Sequence, residues 1–181
     1  MPPSLAQPSR LVVTVGQRIF WPARRPKVEN SATRTAESAS SAKYADTTIN
    51  GFPLADQTGR VMFEMTNLSV GSKCPEIEGK DLDGDAFKLA DFKGKKVVLI
   101  FWGAWCHACH GTLPLVNKLA TDAKSRSVVV LGINTDIPEE ARKAYQTYEV
   151  NFRNWSDGTT SGPITSMFNL RNFPTLYLID E

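Results

Sequence analysis

A chain of 181 residues with 21 Lys plus Arg, 19 Asp plus Glu, two His and three Cys is sized for one domain, with or without an appendage. Its 41% hydrophobic and 22% charged residues are those of an ordinary globular protein, and a net charge of +2 gives no electrostatic case for a nucleic-acid partner. Three cysteines are too few to hold a disulfide-built miniprotein, and no transmembrane segment is expected, because spanning takes about 20 consecutive apolar residues and the runs Val97–Trp102 and Val128–Leu131 are far shorter.

The charge is near balance on both sides of residue 70, so the two parts of the chain differ in pattern and not in electrostatics. Leu11–Val15 is the only apolar patch near the start. It is shorter than the roughly 7–15 residues of a signal peptide's apolar region and reads as a short strand or coil. Residues 22–60 carry Pro22, Pro26, a Ser/Ala/Thr run at 31–42 and the turn-like Asn50-Gly51-Phe52-Pro53. With few large side chains to bury, such a stretch does not offset its own ordering entropy, so residues 1–69 are expected to be an N-terminal extension, largely linker or disordered.

From Val70 to Glu181 the pattern is that of an α/β domain. A turn at Asp81–Asp85 followed by Phe87-Lys88-Leu89 predicts a small hairpin. Val97–Trp102 is apolar without alternation and rich in β-branched residues, which is how a strand buried on both faces reads; Val128–Ile133 reads the same way. Between them Leu113, Val116, Leu119, Ala120 and Ala123 recur at helical spacing, giving a βαβ unit. Pro138-Glu139-Glu140 starts a second helix with the apolar face Ala141, Ala144, Tyr145 and Tyr148, Pro163 starts a shorter one, and Thr175–Ile179 is a third apolar strand. Alternation of this kind implies a central sheet flanked by helices.

Cys106-His107-Ala108-Cys109 falls just after the first of these strands, at the entrance of the following helix. Free amide N–H groups and the positive end of the helix dipole stabilise a thiolate at that place, and a spacing of two residues lets the second sulfur reach back to the first. Cys106 is therefore the expected nucleophile in disulfide exchange and Cys109 the resolving thiol. The same four residues together with His110 also satisfy the C-x-x-C-H attachment motif of c-type haem, and an electron-transfer module is the main competing reading. A zinc site would have to gather Cys74, His107 and His110 around the pair. A domain that keeps the fold but has no redox activity is a third class.

Phe101–Cys109, Pro114, and Phe173-Pro174-Thr175 ahead of the last strand resemble the thioredoxin superfamily, and more narrowly its TlpA/ResA-like, redoxin branch. The likeness reaches back through Val70–Pro75, Leu82-Asp83-Gly84, Leu89 and Lys93-Gly94-Lys95, and so covers residues 70–181. It implies a thioredoxin-like fold, a thiol–disulfide oxidoreductase needing no metal or organic cofactor, and protein disulfides or dithiols as partners. It also implies a cis-proline at Pro174 facing the dithiol, with Phe173 and Trp105 bordering the substrate. Thiol peroxidases of the superfamily are a weaker match, since the Pro and Thr that usually precede their cysteine are absent before Cys106. Ile100 and Thr112 stand where relatives carry a buried acid; either His107 or His110 substitutes for the missing proton acceptor, or His107 only tunes the thiolate and His110 faces solvent. Cys74 reads as a small packed residue, with a second redox partner as the alternative. The branch usually works outside the cytoplasm, so a periplasmic or exported setting is favoured although no clear export signal is present. Members continue past the third strand with a hairpin strand and a helix; with Glu181 last, both are expected to be missing, leaving a bare sheet edge and exposed apolar side chains, or a partner chain that completes the fold; Leu11–Val15 could pair as a strand, but nothing in residues 1–69 has the periodicity of a covering helix.

Overall fold

The apolar runs become the centre of the sheet. A computed structural model describes residues 11–15, 47–49, 52–123 and 127–180. The chain divides into two units, Met1–Gln17 with Asn67–Glu181, and Arg18–Thr66.

In the first unit five strands form one mixed sheet. β1 is Leu11–Val15, and the other four are β6 (Lys96–Trp102), β7 (Val128–Asn134), β8 (Arg153–Ser156) and β9 (Thr175–Ile179), in the order β1-β9-β6-β7-β8. β6, β7 and β8 are parallel, with Val97 opposite Val129 and Leu131 opposite Arg153. β9 runs antiparallel to β6, with Leu99 opposite Tyr177. The helices are α2 (His107–Ala123), α3 (Pro138–Thr147) and the short α4 (Pro163–Met167). Acidic Glu139 and Glu140 occupy the first turn of α3 behind Pro138, as the dipole favours. This is the thioredoxin-like architecture, a mixed sheet flanked by helices.

Because a strand sends alternate side chains to opposite faces, β6 serves two cores at once. Val97, Leu99 and Phe101 join Leu131, Ile133, Tyr177, Ile179 and Phe168 on one face; Ile100 and Trp102 join Leu113, Val116, Cys106 and Cys109 on the other. The first core is closed by a hairpin of β4 (Glu78–Lys80) and β5 (Ala86–Lys88), whose Phe87 stacks on Trp155 at 4.2 Å while Trp155 Nε1 donates to Phe87 O. On the second face Gly132 makes room for Asn154. A Cβ there would lie 1.8 Å from Asn154 Oδ1, the atom that accepts the buried Trp102 Nε1–H at 2.8 Å.

Three expectations meet the structure differently from their statement. The edge of β9 is not bare, because β1 pairs with it from Leu11 opposite Ile179 to Val15 opposite Leu176, with a shift of register between Leu11 and Val13. The backbone groups of the last strand thus find partners in a segment far away in sequence. Val98, Leu176 and Leu178 are half-buried, so apolar exposure on that face is partial. Within residues 22–60, where linker or disorder is expected, residues 48–49 and 52–60 carry structure, and residues 16–46 and 50–51 lie outside the described residues. β2 (Thr48–Ile49) pairs with β3 (Phe52–Pro53), Leu54 N–H donates to Thr47 O at 2.7 Å, and α1 follows over Leu54–Asn67 with Val61, Met62, Phe63 and Met65 exposed. No described helix is long and apolar enough to cross a membrane.

Candidate active site

β6 ends at Trp102 and α2 begins at His107, so the four residues between them form the corner that presents the cysteines. Cys106 N–H donates to Gly103 O at 3.1 Å, closing a turn with Ala104 and Trp105 at its centre. Gly103 is required there: a Cβ would sit 2.4 Å from Trp105 Nε1 and 2.8 Å from Thr135 Oγ1.

Cys106 and Cys109 are joined as a disulfide, with Cα atoms 5.3 Å apart. Cys106 immediately precedes the helix, and Cys109 N–H is shared between Cys106 O at 2.9 Å and the Cys106 sulfur at 3.2 Å. When the pair is reduced, that amide and the free N–H groups of the first turn face the charge of a Cys106 thiolate. Both cysteines are buried in the disulfide form, Cys106 at 5% and Cys109 at 0% exposure. The exposure expected of Cys106 is supplied by its neighbours instead, since Trp105 is 55% exposed and His107 is also open to solvent.

Trp105 packs edge-to-face on Phe173 at 5.1 Å, and its Nε1 donates to Thr135 Oγ1 at 3.3 Å. Phe173 touches the core cluster that holds both cysteines, and the Phe173–Pro174 bond is cis. Trp105, Phe173 and the 106–109 disulfide are thus brought to one corner of the molecule, with Pro174 next in the chain.

The histidines differ. His107 lies on the exposed side of α2. His110 is half-buried, stacks on Tyr148 at 4.7 Å, and places Nε2 2.8 Å from Ala104 O. A carbonyl only accepts, so Nε2 carries the proton and donates. Pro114, one turn further on, lacks the N–H that would otherwise bond His110 O within α2. Haem attachment would need both sulfurs open to a porphyrin edge and an imidazole nitrogen turned to iron; here Cys109 is fully buried, and His110 Nε2 is committed to a backbone carbonyl. Cys74 lies in the core on the opposite face of the sheet, so it is not gathered with His107 and His110, and no three metal-ligating side chains cluster among the described residues. Burial, then Glu76, pushes the Cys74 thiol up to about 12. At neutral pH such a thiol is inert, the behaviour of a small packed residue and not of a redox partner.

Several residues that hold this corner were not singled out from sequence. Asn134, Thr135 and Asp136 close β7 beside the end of β6, and all three are buried. Asp136 Oδ2 accepts Ala104 N–H at 2.7 Å, and Thr135 N–H donates to Trp102 O. The signal was available in their position: in an open α/β sheet, polar residues just past the carboxyl ends of adjacent parallel strands face the site.

A buried disulfide at the strand-to-helix corner of a thioredoxin-like sheet, bordered by an exposed tryptophan and a cis-proline segment, is the arrangement of a redox dithiol domain. The family model for AhpC/TSA matches residues 70–181, and the chain belongs to that family, as a TlpA/ResA-like member of the thioredoxin superfamily. It is 32% identical over 115 residues to the thiol-disulfide oxidoreductase ResA of Bacillus thuringiensis, a match over 63% of this chain and 65% of that protein, just under two thirds of the relative's length. Among solved structures it is similar to the thioredoxin domain of a thiol-disulfide oxidoreductase from Bacteroides vulgatus, at 29% identity and a TM-score of 0.56, over 62% of this chain and 81% of that one. A secreted disulfide oxidoreductase of Mycobacterium tuberculosis is 27% identical with a TM-score of 0.50, over 56% and 74% of the two chains.

Proposed function

We propose that this protein is a thiol–disulfide oxidoreductase that exchanges its Cys106–Cys109 pair with disulfides or dithiols of protein substrates. The observation that carries this reading is the placement of Cys106 directly before α2 with the Cys109 amide on its sulfur. In the reducing direction the Cys106 thiolate attacks one sulfur of a substrate disulfide, the second substrate sulfur leaves as a thiolate, and a mixed disulfide forms. Cys109 then attacks Cys106 Sγ and releases the first substrate sulfur. Two electrons pass to the substrate, and the intramolecular disulfide is left behind. The reverse sequence oxidises a substrate dithiol.

Trp105, Phe173 and Pro174 are assigned to substrate binding. Trp105 offers an exposed ring beside the disulfide, and backbone groups around the cis-proline would receive an extended segment. No metal or organic cofactor enters the cycle. The setting proposed is outside the cytoplasm, a reading supported by the likeness to the secreted mycobacterial oxidoreductase. A partner chain that covers the half-buried Val98, Leu176 and Leu178 is the remaining element of the proposal; a sharp thermal transition without hydrophobic-dye binding would dismiss it. The catalytic reading is tested by reduction of insulin with dithiothreitol as electron source. The wild-type chain is expected to accelerate precipitation of the insulin B chain, and no acceleration would overturn it.

A further inference from the structure

We propose that Asp136 is a positioning residue for the exchange reaction, whose buried carboxylate holds the turn before Cys106 and keeps the cysteine pair reducing. The inference rests on the exchange reading above and adds the control of its redox poise.

The turn over Gly103–Cys106 is held from outside at both polar groups of Ala104. Asp136 Oδ2 takes the N–H at 2.7 Å, and His110 Nε2 donates to the C=O at 2.8 Å. Asp136 is itself fixed: its Oδ2 also accepts Asn134 Nδ2–H at 2.8 Å, and its backbone N–H donates to Asn134 Oδ1 at 3.1 Å. Asn134 sits opposite Trp102 at the end of the β6–β7 ladder, so the clamp is built on the rigid part of the sheet.

What distinguishes Asp136 from an ordinary structural carboxylate is its remaining oxygen. The residue is 2% exposed, and Oδ1 has no hydrogen-bond partner among the described residues. A carboxylate oxygen that no protein donor engages keeps more of its field for its surroundings than one held by hydrogen bonds. Tyr145 on α3 lies near the same carboxylate, and its hydroxyl is pushed up by burial first and then by Asp136, Asp81 and Asp83. Cys106 follows Ala104 by two residues, so its Cα lies within about 7.6 Å of the Cα of the alanine that Asp136 grips.

A negative charge at this place opposes the Cys106 thiolate that the helix end favours. It disfavours the reduced pair, so electrons leave for the substrate more readily. Ile100 and Thr112 supply no acid, and Asp136 enters from the loop that follows β7.

The test is Asp136→Asn. Its amide oxygen can take the place of Oδ2 and keep both donors, while the charge is removed. Equilibrium of the pair with glutathione at fixed pH is expected to move about tenfold toward the dithiol, a potential ~30 mV less negative. A shift below twofold in a folded D136N chain would reduce the residue to scaffolding and overturn the proposal. Since a buried substitution can fail to fold, the wild-type protein provides a second arm: the Asp136 carboxyl carbon resonance is expected to differ between oxidised and reduced protein, and an unchanged resonance overturns the proposal as well. If wild type itself does not equilibrate with glutathione, the exchange reading has failed first, an outcome distinct from a wild type that equilibrates with a D136N that matches it.

Discussion

Each face of the central sheet buries cysteine sulfur, and the two faces treat it in opposite ways. On the face closed by the β4–β5 hairpin, Cys74 is packed with Ile77, Phe87 and Leu89, and burial drives its thiol up to about 12. On the other face Cys106 is almost as buried, yet it stands at the start of α2 with an amide N–H on its sulfur and an exposed tryptophan beside it. Burial alone silences a thiol; burial at a helix entrance, beside a surface a substrate can reach, makes it a controllable one.

The sharpest way to break this contrast is to exchange the cysteines one at a time. Cys106→Ser is expected to reduce insulin turnover to background, and Cys109→Ser to accumulate mixed disulfides, with folding intact in both. Cys74→Ala should leave turnover unchanged. Full activity in Cys106→Ser, or its loss in Cys74→Ala, would reverse the assignment of the two faces.

The next effect is on stability. Gly132→Ala would drive a Cβ into Asn154 and break its bond to Trp102, so a loss of about 2–4 kcal/mol in denaturant unfolding is expected, from overpacking together with an unpaired buried indole N–H. A variant as stable as wild type would show that the disulfide-bearing face is packed more loosely than described.

Cys74 gives a smaller and pH-dependent effect. Its thiol stands near 12 in the fold against an ordinary 9.0, so between these values the unfolded chain gives up its proton first. Stability contributed by the neutral thiol is complete below pH 9 and falls as the pH rises toward 12, by up to about 1.4 kcal/mol per pH unit. Cys74→Ala should cost about 1–2 kcal/mol at pH 7 and remove this part of the alkaline slope. Tyr145, also raised by burial, adds a decline of the same sign and is left in place by that variant. A slope identical in the two proteins would mean that Cys74 is more solvated than its packing indicates.

Smallest in stability and most specific to the site is Trp105→Ala. With its ring 55% exposed, the change is expected to move the unfolding free energy by no more than about 0.5 kcal/mol while raising KM for a protein disulfide. An unchanged KM would remove Trp105 from the substrate surface.

How much of this was legible in the sequence depends on whether a residue's role is set by its neighbours in the chain or by distant ones. Val97–Trp102, Val128–Ile133 and Thr175–Ile179 carry their strand signal within themselves, and the 106–109 motif is read from the strand before it and the helix after it. β8 carries no such signal, because Arg153-Asn154-Trp155-Ser156 has no alternation of its own; the polar Asn154 is buried against Gly132, where it accepts the Trp102 indole N–H and donates to Phe152 O. α1 went unread because its large apolar residues stay exposed. Asp136 belongs to no motif: what it does is defined by Ala104, 32 residues away, and by the one oxygen left without a partner. The pairing of Leu11–Val15 with β9 is a contact of the same long-range kind.

The most direct test of the account asks which sulfur meets a substrate. Reduced Cys109→Ser protein, mixed with a protein disulfide and quenched in acid, is digested and mapped by mass spectrometry. The account predicts a single mixed disulfide through Cys106 and an unmodified Cys74. A cross-link through Cys74, or none at all while the wild-type protein turns over, would contradict it.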